Sequence, residues 1–272
     1  MAHGWDTGTK HLQAELAAGT ATLTLNRPDR RNAFSLPMLE ALAAALERCE
    51  ADPEVACVVI TGSGAAFSAG GDVKDLLAAQ TADTPALERL IQVQRTNQLA
   101  TVARLYRMPK PTIAALPGAA AGAGLSLALA CDFRIAADSA ILTTAFARVA
   151  LSGDYGCSYF LTRLVGAARA RELLLLSEQL SATEALKLGL VNWVVPAAEL
   201  AAKATELAGR LASGPRIAYG YMKENLNRAV AGELEDCLNL EVTHHVHTLK
   251  TQDHVEAARA FIDKRTAVFR GL

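Results

Sequence analysis

The residues with the clearest capacity for chemistry lie mid-chain, where a stretch of small residues precedes a lone carboxylate. Residues 118–124 are all Gly or Ala, and the apolar run Leu125–Cys131 follows. Such a run is typical of a buried helix. The unpaired N–H groups at the start of a helix, with the helix dipole behind them, form a site for an anion. Asp154 comes later, in an otherwise neutral loop at 152–156. An anion site and a carboxylate together indicate chemistry beside a carbonyl group.

A second loop of small residues strengthens this prediction. Residues 69–72 (Ala-Gly-Gly-Asp) follow the apolar run Val55–Thr61, just as residues 122–124 follow the run Thr112–Leu116. One pair of glycines more often indicates close packing between elements than a binding site. Two such loops that face each other can donate two backbone N–H groups to one oxygen, which stabilises an enolate formed from a thioester.

The order of predicted elements indicates how these loops are positioned. Short apolar runs predict strands at 21–25, 55–61, 112–116, 132–137 and 191–195. Periodic segments predict helices at 36–50, 84–107, 125–131, 159–165, 168–176 and 181–188, then at 197–213, 215–231, 233–250 and 253–269. Strands alternate with helices up to Val195 and only helices follow. We therefore expect an α/β fold with a parallel core over residues 1–196 and a helical C-terminal region over residues 197–272.

Composition excludes several classes of protein. The 272 residues are 51% apolar and 20% charged, with 27 Lys and Arg against 28 Asp and Glu. This balance gives no basis for nucleic-acid binding. We expect no signal peptide and no membrane span. Five scattered cysteines predict reduced, mostly buried thiols in a cytoplasmic protein. The spacing of His244, His245 and His247 suits no metal site, so we expect no metal and interpret them as surface or interface residues.

Five segments in sequence order resemble the enoyl-CoA hydratase/isomerase (crotonase) family: LNRPDRRNAF at 25–34, VVITGSGAAFSAGGDVK at 58–74, PTIAALPGAAAGAGLSLALACDFRIAA at 111–137, LTRLVGAARARELLL at 161–175 and ATEALKLGLVNWVVP at 182–196. The resemblance extends from about residue 21 to the C-terminus. It implies a crotonase-like ββα spiral core that binds an acyl-CoA thioester, and a helical C-terminal trimerisation region that forms a homo-trimer or hexamer. Coenzyme A would be part of the substrate, so no separate cofactor is expected.

The resemblance also implies roles for individual residues. Gly71 and Ala123 would donate the two N–H groups of an oxyanion hole. Four residues would lie along the coenzyme A, namely Arg31, Ala33, Ala69 and Lys74. Phe261 and Lys264 would contact its adenine or phosphates, often from a neighbouring subunit. Alternative interpretations of three of these residues stay open. Arg31 and Lys74 can be ordinary solvated charges, and Phe261 can belong to the core. Aromatic and apolar residues would surround the acyl tail, namely Phe146, Leu151, Tyr155 and Tyr159.

The sequence departs from the hydratases of the family at two positions. Those enzymes carry two glutamates, which align with Ser126 and Phe146 here. The remaining carboxylate, Asp154, matches the base of isomerase branches, including the ring-epoxide isomerase of the phenylacetate pathway. It also matches the nucleophile of the 4-chlorobenzoyl-CoA dehalogenase branch. Without the resemblance, Asp154 would be interpreted as a cap on the following helix. Asp72, beside the first loop, is more typical of a structural role.

The leading hypothesis is therefore an isomerase that shifts a double bond in an unsaturated acyl-CoA, with Asp154 as acid and base. Hydration is a second hypothesis, although it needs two proton-handling groups. Dehalogenation or thioester hydrolysis with Asp154 as nucleophile is a third. It is weakened because Ala103 stands where the dehalogenase branch carries a histidine. The last hypothesis is that the protein is a relative that binds coenzyme A without catalysing a reaction.

Overall fold

Two β-sheets of unequal size carry the loops of interest, in a computed structural model that describes residues 2–78 and 86–272. The larger sheet has seven strands, in the order β1 (His3–Gly4), β2 (Leu12–Ala17), β3 (Thr20–Leu25), β4 (Cys57–Gly62), β6 (Thr112–Leu116), β8 (Phe133–Ala137) and β11 (Trp193–Val195). The smaller sheet has four, in the order β10 (Leu180–Ser181), β9 (Ile141–Thr143), β7 (Ala119–Ala121) and β5 (Ala66–Ser68). From β3 to β11 the larger sheet is parallel, which confirms the predicted parallel α/β core.

The chain winds as a repeated unit of two strands and a helical segment. Each turn places one strand in the larger sheet and the next in the smaller one, as β4 then β5, β6 then β7, and β8 then β9. This is the ββα spiral that the resemblance implies. The five strands predicted for the larger sheet agree with the structure within about two residues, whereas β1 and β2 were not predicted. Strands β5, β7 and β9 have three residues each and were also missed, because so short a run carries no periodicity.

Helices cover both faces of the larger sheet. Because side chains alternate along a strand, Val58 and Ile60 of β4 pack into the cluster that contains α1 (Leu36–Ala51), while Val59 packs into the cluster under α8 (Leu200–Ala212). Burial on both faces explains why β4 has no polar alternation. Each such side chain contributes about 1.5–3 kcal/mol through burial. Helix α8 thus packs on the core sheet although it follows residue 196, and the proposed domain division at that residue stays a prediction.

The other helices are α2 (Val73–Ala78), α3 (Leu87–Gln98), α4 (Arg104–Arg107), α5 (Ala123–Leu129), α6 (Cys157–Leu176), α7 (Ala182–Lys187), α9 (Arg216–Ala229), α10 (Leu234–Leu249) and α11 (Gln252–Ile262). A π-helical turn, Leu99–Ala103, joins α3 to α4. The predicted start of this long helix, residues 84 and 85, lies outside the described residues. Ser181 and Glu184 form a capping box at the start of α7. None of the helices in the described part of the chain is long and apolar enough to cross a membrane.

The two helices predicted at 159–165 and 168–176 are confirmed, because the range Cys157–Leu176 of α6 is interrupted at Gly166, whose backbone is not helical (φ 75°, ψ 164°). Two other predictions of local structure need correction. The last helix ends at Ile262 rather than Phe269, because Lys264 adopts a left-handed conformation (φ 54°). His244 is not at the surface. It is buried against α9, and its ring stacks on that of Tyr221 at 4.2 Å. Cys49, Cys57, Cys131 and Cys157 are buried free thiols, as predicted.

Candidate active site

Neighbouring parallel strands of the smaller sheet bring the predicted loops together. Strand β7 pairs in parallel with β5 on one side and with β9 on the other. Since the carboxyl ends of adjacent parallel strands meet at one edge, residues 69–72, 122–124 and 144–156 emerge side by side. Strands too short to be predicted from the sequence thus determine where the site forms.

The first loop is held by backbone hydrogen bonds to the polar loop after β3. The Phe34 N–H donates to the Gly70 carbonyl oxygen at 2.7 Å, and the Ala69 N–H donates to the Arg31 carbonyl oxygen at 2.9 Å. Phe34 also forms a parallel bridge with Gly71. These contacts fix the backbone on both sides of Gly70. The predicted residues Arg31, Ala33, Ala69 and Gly71 therefore lie in one small region.

Asn32 organises this region, and the sequence analysis missed it. The side chain is fully buried, and its Nδ2 donates to the carbonyl oxygens of Ser63 and Ala66 at 2.9 and 2.8 Å. The Ser68 hydroxyl donates in turn to the Asn32 carbonyl oxygen at 2.8 Å. An asparagine in a polar loop usually indicates a turn. The sequence therefore carried no signal that this one is buried.

The two small-residue loops touch through their backbones. Gly70 has φ 82°, and a Cβ there would lie 2.7 Å from the Ala121 oxygen and 2.9 Å from the Ala123 nitrogen. A Cβ at Gly124 would lie 2.6 Å from the Cβ of Ser68. Contacts below 3.0 Å are not tolerated, so only glycine fits at both positions. The prediction that the two loops face each other is confirmed.

Two backbone donors remain without a partner at this junction. In the chain as described, neither the Gly71 N–H nor the Ala123 N–H donates to a protein atom. Ala123 is the first residue of α5, where the N–H groups have no partner within the helix. Gly71 is exposed, whereas Ala123 is buried. These are the two amides that the family resemblance assigns to an oxyanion hole.

Asp154 is partly buried, and its two carboxylate oxygens lie in different environments. Gln94 of α3 donates from Nε2 to Oδ2 at 3.1 Å. Oδ1 is buried and has no hydrogen-bond partner among the described residues. Burial raises the pKa of Asp154 to about 6, although the hydrogen bond from Gln94 opposes this rise. The carboxylate is therefore ionised near neutral pH but close to its titration range.

The interpretation of Asp154 as a helix cap is wrong for its side chain. The N-cap of α6 is Gly156, and no side chain caps this helix. Towards α6, it is the main-chain carbonyl oxygen of Asp154 that accepts a hydrogen bond, from the Cys157 N–H at 3.1 Å. The carboxylate is therefore not used to stabilise the helix.

Ser126 and Phe146, which the family resemblance aligns with the two hydratase glutamates, connect the loops. The Ser126 hydroxyl lies 3.1 Å from the carbonyl oxygens of both Gly122 and Asp154. The Phe146 ring is 3.7 Å from the Cβ positions built at Gly122 and Gly153. Both side chains are buried and neither can ionise near neutral pH. They set the spacing between the second loop and Asp154.

Other predicted substrate contacts differ in their exposure. Tyr155 is buried like Phe146, and its ring packs edge-on against Phe34 with 5.7 Å between ring centres. Leu151 and Tyr159, in contrast, are exposed. A cavity of about 540 Å³ against α3 is lined by Leu90, Ile91, Gln94, Arg95, Gln98 and Leu99. Gln94 therefore separates this cavity from Asp154.

The charged residues near the first loop divide into structural and exposed ones. Asp72 is buried and pairs with Arg27 at 3.3 Å, which agrees with a structural role. Its Oδ1 also accepts the Lys74 N–H at 3.2 Å at the start of α2. The side chains of Lys74 and Arg31 are exposed beside this loop.

Phe261 and Lys264 are not brought to the loops of their own chain. Phe261 is 86% exposed near the end of α11, so its interpretation as a core residue is wrong. Lys264 is also exposed, just past the same helix. No hydrogen bond among the described residues joins either side chain to the loops.

Fold, loops and sequence together define the class of protein. Residues 15–271 match the family model described as enoyl-CoA hydratase/isomerase. The chain belongs to this family, whose spiral fold and paired loops it shares, and it is an acyl-CoA enzyme of the crotonase type.

Relatives with different named activities are similar to this chain. It is 40% identical over 260 residues to the 1,2-epoxyphenylacetyl-CoA isomerase of Escherichia coli (strain K12), covering 96% of this chain and 98% of that protein. It is 33% identical over 254 residues to 4-chlorobenzoyl coenzyme A dehalogenase-2 of Arthrobacter sp, covering 93% and 91%. A solved structure of an enoyl-CoA hydratase from Polaromonas sp. JS666 superposes with a TM-score of 0.89 at 38% identity, covering 95% and 99%.

Proposed function

We propose that the protein shifts a double bond in an unsaturated acyl-CoA through an enolate, with Asp154 as the only acid–base group. The observation that carries this proposal is the partly buried Asp154 carboxylate, which belongs to the same group of loops as two backbone N–H groups; among the described residues, neither its Oδ1 nor these N–H groups have a partner. Perturbed carboxylates beside unused donors are typical of catalytic sites. The absence of ionisable groups at Ser126 and Phe146 favours one proton-transfer group over two.

The proposed reaction moves one proton and no other atom. The thioester oxygen accepts from the Gly71 and Ala123 N–H groups, which stabilise the negative charge that develops there. Asp154 Oδ1 removes a proton from carbon 2 or carbon 4, and the C–H electrons pass into the conjugated dienolate. The same carboxylic acid returns the proton at the other end of the allylic system. Abstraction and return require only a small movement of one side chain.

Hydration fits these residues less well. Addition of water across carbons 2 and 3 places oxygen and a proton on different atoms, so two groups normally share the work. The side chains at the two family positions, Ser126 and Phe146, are used for hydrogen bonding to backbone and for packing. We therefore expect weak or no hydratase activity.

The test uses coenzyme A esters of 2-enoic and 3-enoic acids of several chain lengths, with a ring-epoxide ester included because of the named E. coli relative. Chromatography separates the double-bond isomers, and mass detects added water. We expect Asp154→Asn to bind acyl-CoA normally and to lose about 10²–10⁴-fold in isomerisation rate. The matched control is Asp138→Asn, which changes an exposed aspartate. Brisk hydration by the parent, or full activity of Asp154→Asn, contradicts the proposal.

A nucleophilic role for Asp154 is the second candidate, supported by the similarity to the Arthrobacter dehalogenase and by the unpartnered Oδ1. In that reaction Oδ1 attacks the ring carbon that bears the halogen, the carbon–halogen bond breaks and halide leaves. Water then hydrolyses the resulting ester at the carboxyl carbon of Asp154, so one solvent oxygen enters the carboxylate and the former Oδ1 leaves with the product. Turnover in ¹⁸O-water followed by mass analysis of the peptide that contains Asp154 distinguishes the two. Label in Asp154 indicates the nucleophile, and its absence indicates the proton carrier.

We also propose that copies of the chain form a trimer or a hexamer and that each copy contributes to its neighbour's coenzyme A site. Exposed apolar side chains recur every three or four residues on α10, at Leu234, Leu238, Val242, Val246 and Leu249. A continuous apolar face of this kind favours burial against another molecule. The exposed Phe261 lies on α11 and the exposed Lys264 lies just past it, where the family resemblance assigns contacts from a neighbouring subunit.

The remaining proposed contacts to coenzyme A come from the first loop of the same chain. The exposed side chains of Arg31 and Lys74 carry the positive charge that phosphate groups favour. Ala33 is buried and Ala69 is half-buried in the same backbone assembly, where their N–H groups donate to the carbonyl oxygens of Arg30 and Arg31. Their role depends on backbone position rather than on side-chain chemistry.

A further inference from the structure

Asp154 is held from two sides by residues on different helices. The Ser126 hydroxyl of α5 lies 3.1 Å from the main-chain oxygen of Asp154, and Gln94 of α3 donates to the carboxylate at Oδ2. Among the described residues, Oδ1 is the carboxylate oxygen without a partner. Backbone and side chain are thus both fixed, and the two carboxylate oxygens are not equivalent.

We propose that Gln94 is a positioning residue that makes Oδ1 of Asp154 the oxygen that exchanges the proton with the substrate. This inference rests on the proposed function, in which Asp154 is the base. Gln94 has no contact with the reacting atoms in this assignment. It acts through the carboxylate that it orients.

The hydrogen bond explains why the two oxygens take different roles. A donor at Oδ2 withdraws negative charge from that oxygen, so Oδ1 is the more basic of the two. When Oδ1 takes up the proton, Oδ2 becomes the carbonyl oxygen of the acid and still accepts from Nε2. One donor therefore serves both protonation states without rearrangement. Because the bond is stronger to the ion than to the neutral acid, it favours ionisation.

Gln94 contacts Asp154 and also lines the cavity along α3. The side chain is half-buried and lines that cavity together with Leu90, Ile91 and Leu99. These neighbours are apolar and partly exposed. The helix that borders the cavity thus also determines the orientation of the base.

The hydrogen bond from Gln94 is the main influence that lowers the pKa of Asp154 and so opposes the effect of burial. Burial raises the pKa of Tyr155, and it raises that of Cys157 to about 11. Both groups are therefore uncharged where Asp154 titrates. Within the described part of the chain, no charged side chain contributes to the shift in the pKa of Asp154.

The test removes the donor and measures the titration of Asp154 directly. Gln94→Met keeps the length of the side chain, and Gln92→Met is the matched control because Gln92 is exposed on the same helix and bonds to Arg95. Carboxyl ¹³C NMR of protein labelled at aspartate follows the titration, and comparison with Asp154→Asn assigns the signal. We expect Gln94→Met to raise the pKa of Asp154 by about one unit, whereas Gln92→Met leaves it unchanged.

Kinetics provide the second readout. The base must be ionised, so kcat/KM rises with pH through the pKa, and this rise should move to higher pH by about one unit in Gln94→Met. Above both pKa values, kcat should fall about tenfold with KM nearly constant, because the base is no longer oriented. A loss of stability alone would not shift the pH profile.

Gln94→Glu is a second variant with nearly the same shape. It places another carboxylate beside Oδ2, so the two groups share a proton and titrate in two separated steps. An unchanged Asp154 titration in Gln94→Met, or a single ordinary step in Gln94→Glu, overturns the inference. The NMR titration does not depend on turnover. If the pKa shifts as expected while the parent isomerises no substrate, the orienting contact stands and the proposed reaction is wrong.

Discussion

The partial burial of Asp154 raises the pKa of its carboxyl group and also destabilises the fold. The pKa is about 6 in the folded chain, against about 3.9 in an unfolded one. Below about pH 4 the group is protonated in both states, so it has no effect on stability. As the pH rises towards 6, the unfolded chain loses the proton first and is favoured. Above pH 6 the folded protein carries a buried ion at a constant cost.

Asp154→Asn should therefore be more stable than the parent above pH 6, by on the order of 1–2 kcal/mol after allowance for partial solvation. The difference should vanish below about pH 4. Urea unfolding between pH 4 and 8 measures it, with Asp138→Asn as the control that changes an exposed carboxylate. Equal unfolding midpoints at pH 8 would show that burial does not raise the pKa of Asp154.

At the scale of elements, the site depends on the close approach of the loops after β5 and β7. These strands are parallel neighbours, and their loops touch at Gly70, Ala121 and Ala123. The approach leaves no space for a side chain at Gly70. A single added methyl group would therefore separate the two predicted oxyanion donors.

Gly70→Ala should reduce turnover at least a hundredfold, because misplacing one oxyanion donor costs about 3 kcal/mol in the transition state. Gly8→Ala is the matched control, since Gly8 has a similar φ of 74° but no atom within 4 Å of its Cβ position. Both variants bear the conformational cost of a positive φ, about 1 kcal/mol. Steady-state kinetics and thermal unfolding of the two variants separate that cost from the clash. Equal activities would refute the proposed contact.

At the scale of the whole molecule, the C-terminal helices expose more apolar surface than a lone chain needs. The apolar face of α10 includes Val242, which is 57% exposed. In contrast, the tail after α11 is tied to its own chain. Asp253 is buried and accepts the N–H groups of Arg270 and Gly271 at 2.7 and 2.9 Å. The C-terminal tail is thus fixed to α11, the helix that follows α10.

Val242→Glu should convert the proposed trimer or hexamer into smaller species, because a charge at the centre of an apolar interface has no partner there. Thr243→Glu adds the same charge one residue further on, on a different face of the helix, and serves as the control. Light scattering at micromolar concentration measures the mass. A parent protein that is monomeric at that concentration contradicts the proposal.

The amino-acid sequence alone determined the family, the parallel core and the principal residues considered for the site. The strands around Val58 and Ala114 were predictable because they are buried on both faces and uniformly apolar. The position of the two loops in the chain was predictable because Gly and Ala are concentrated there. The lone Asp154 was evident because no other carboxylate lies nearby in its segment.

Only the tertiary structure decided how these parts meet. Strands β5, β7 and β9 are too short to leave a pattern, yet their parallel pairing places three loops together. Gln94 is 60 residues from Asp154 in sequence and belongs to a helix in which most of the other polar residues are exposed. Asn32 resembles any turn residue until its burial is known. Propensity and periodicity are local properties, whereas the pKa of a carboxylate and the partners of its oxygens depend on groups that folding brings from distant segments.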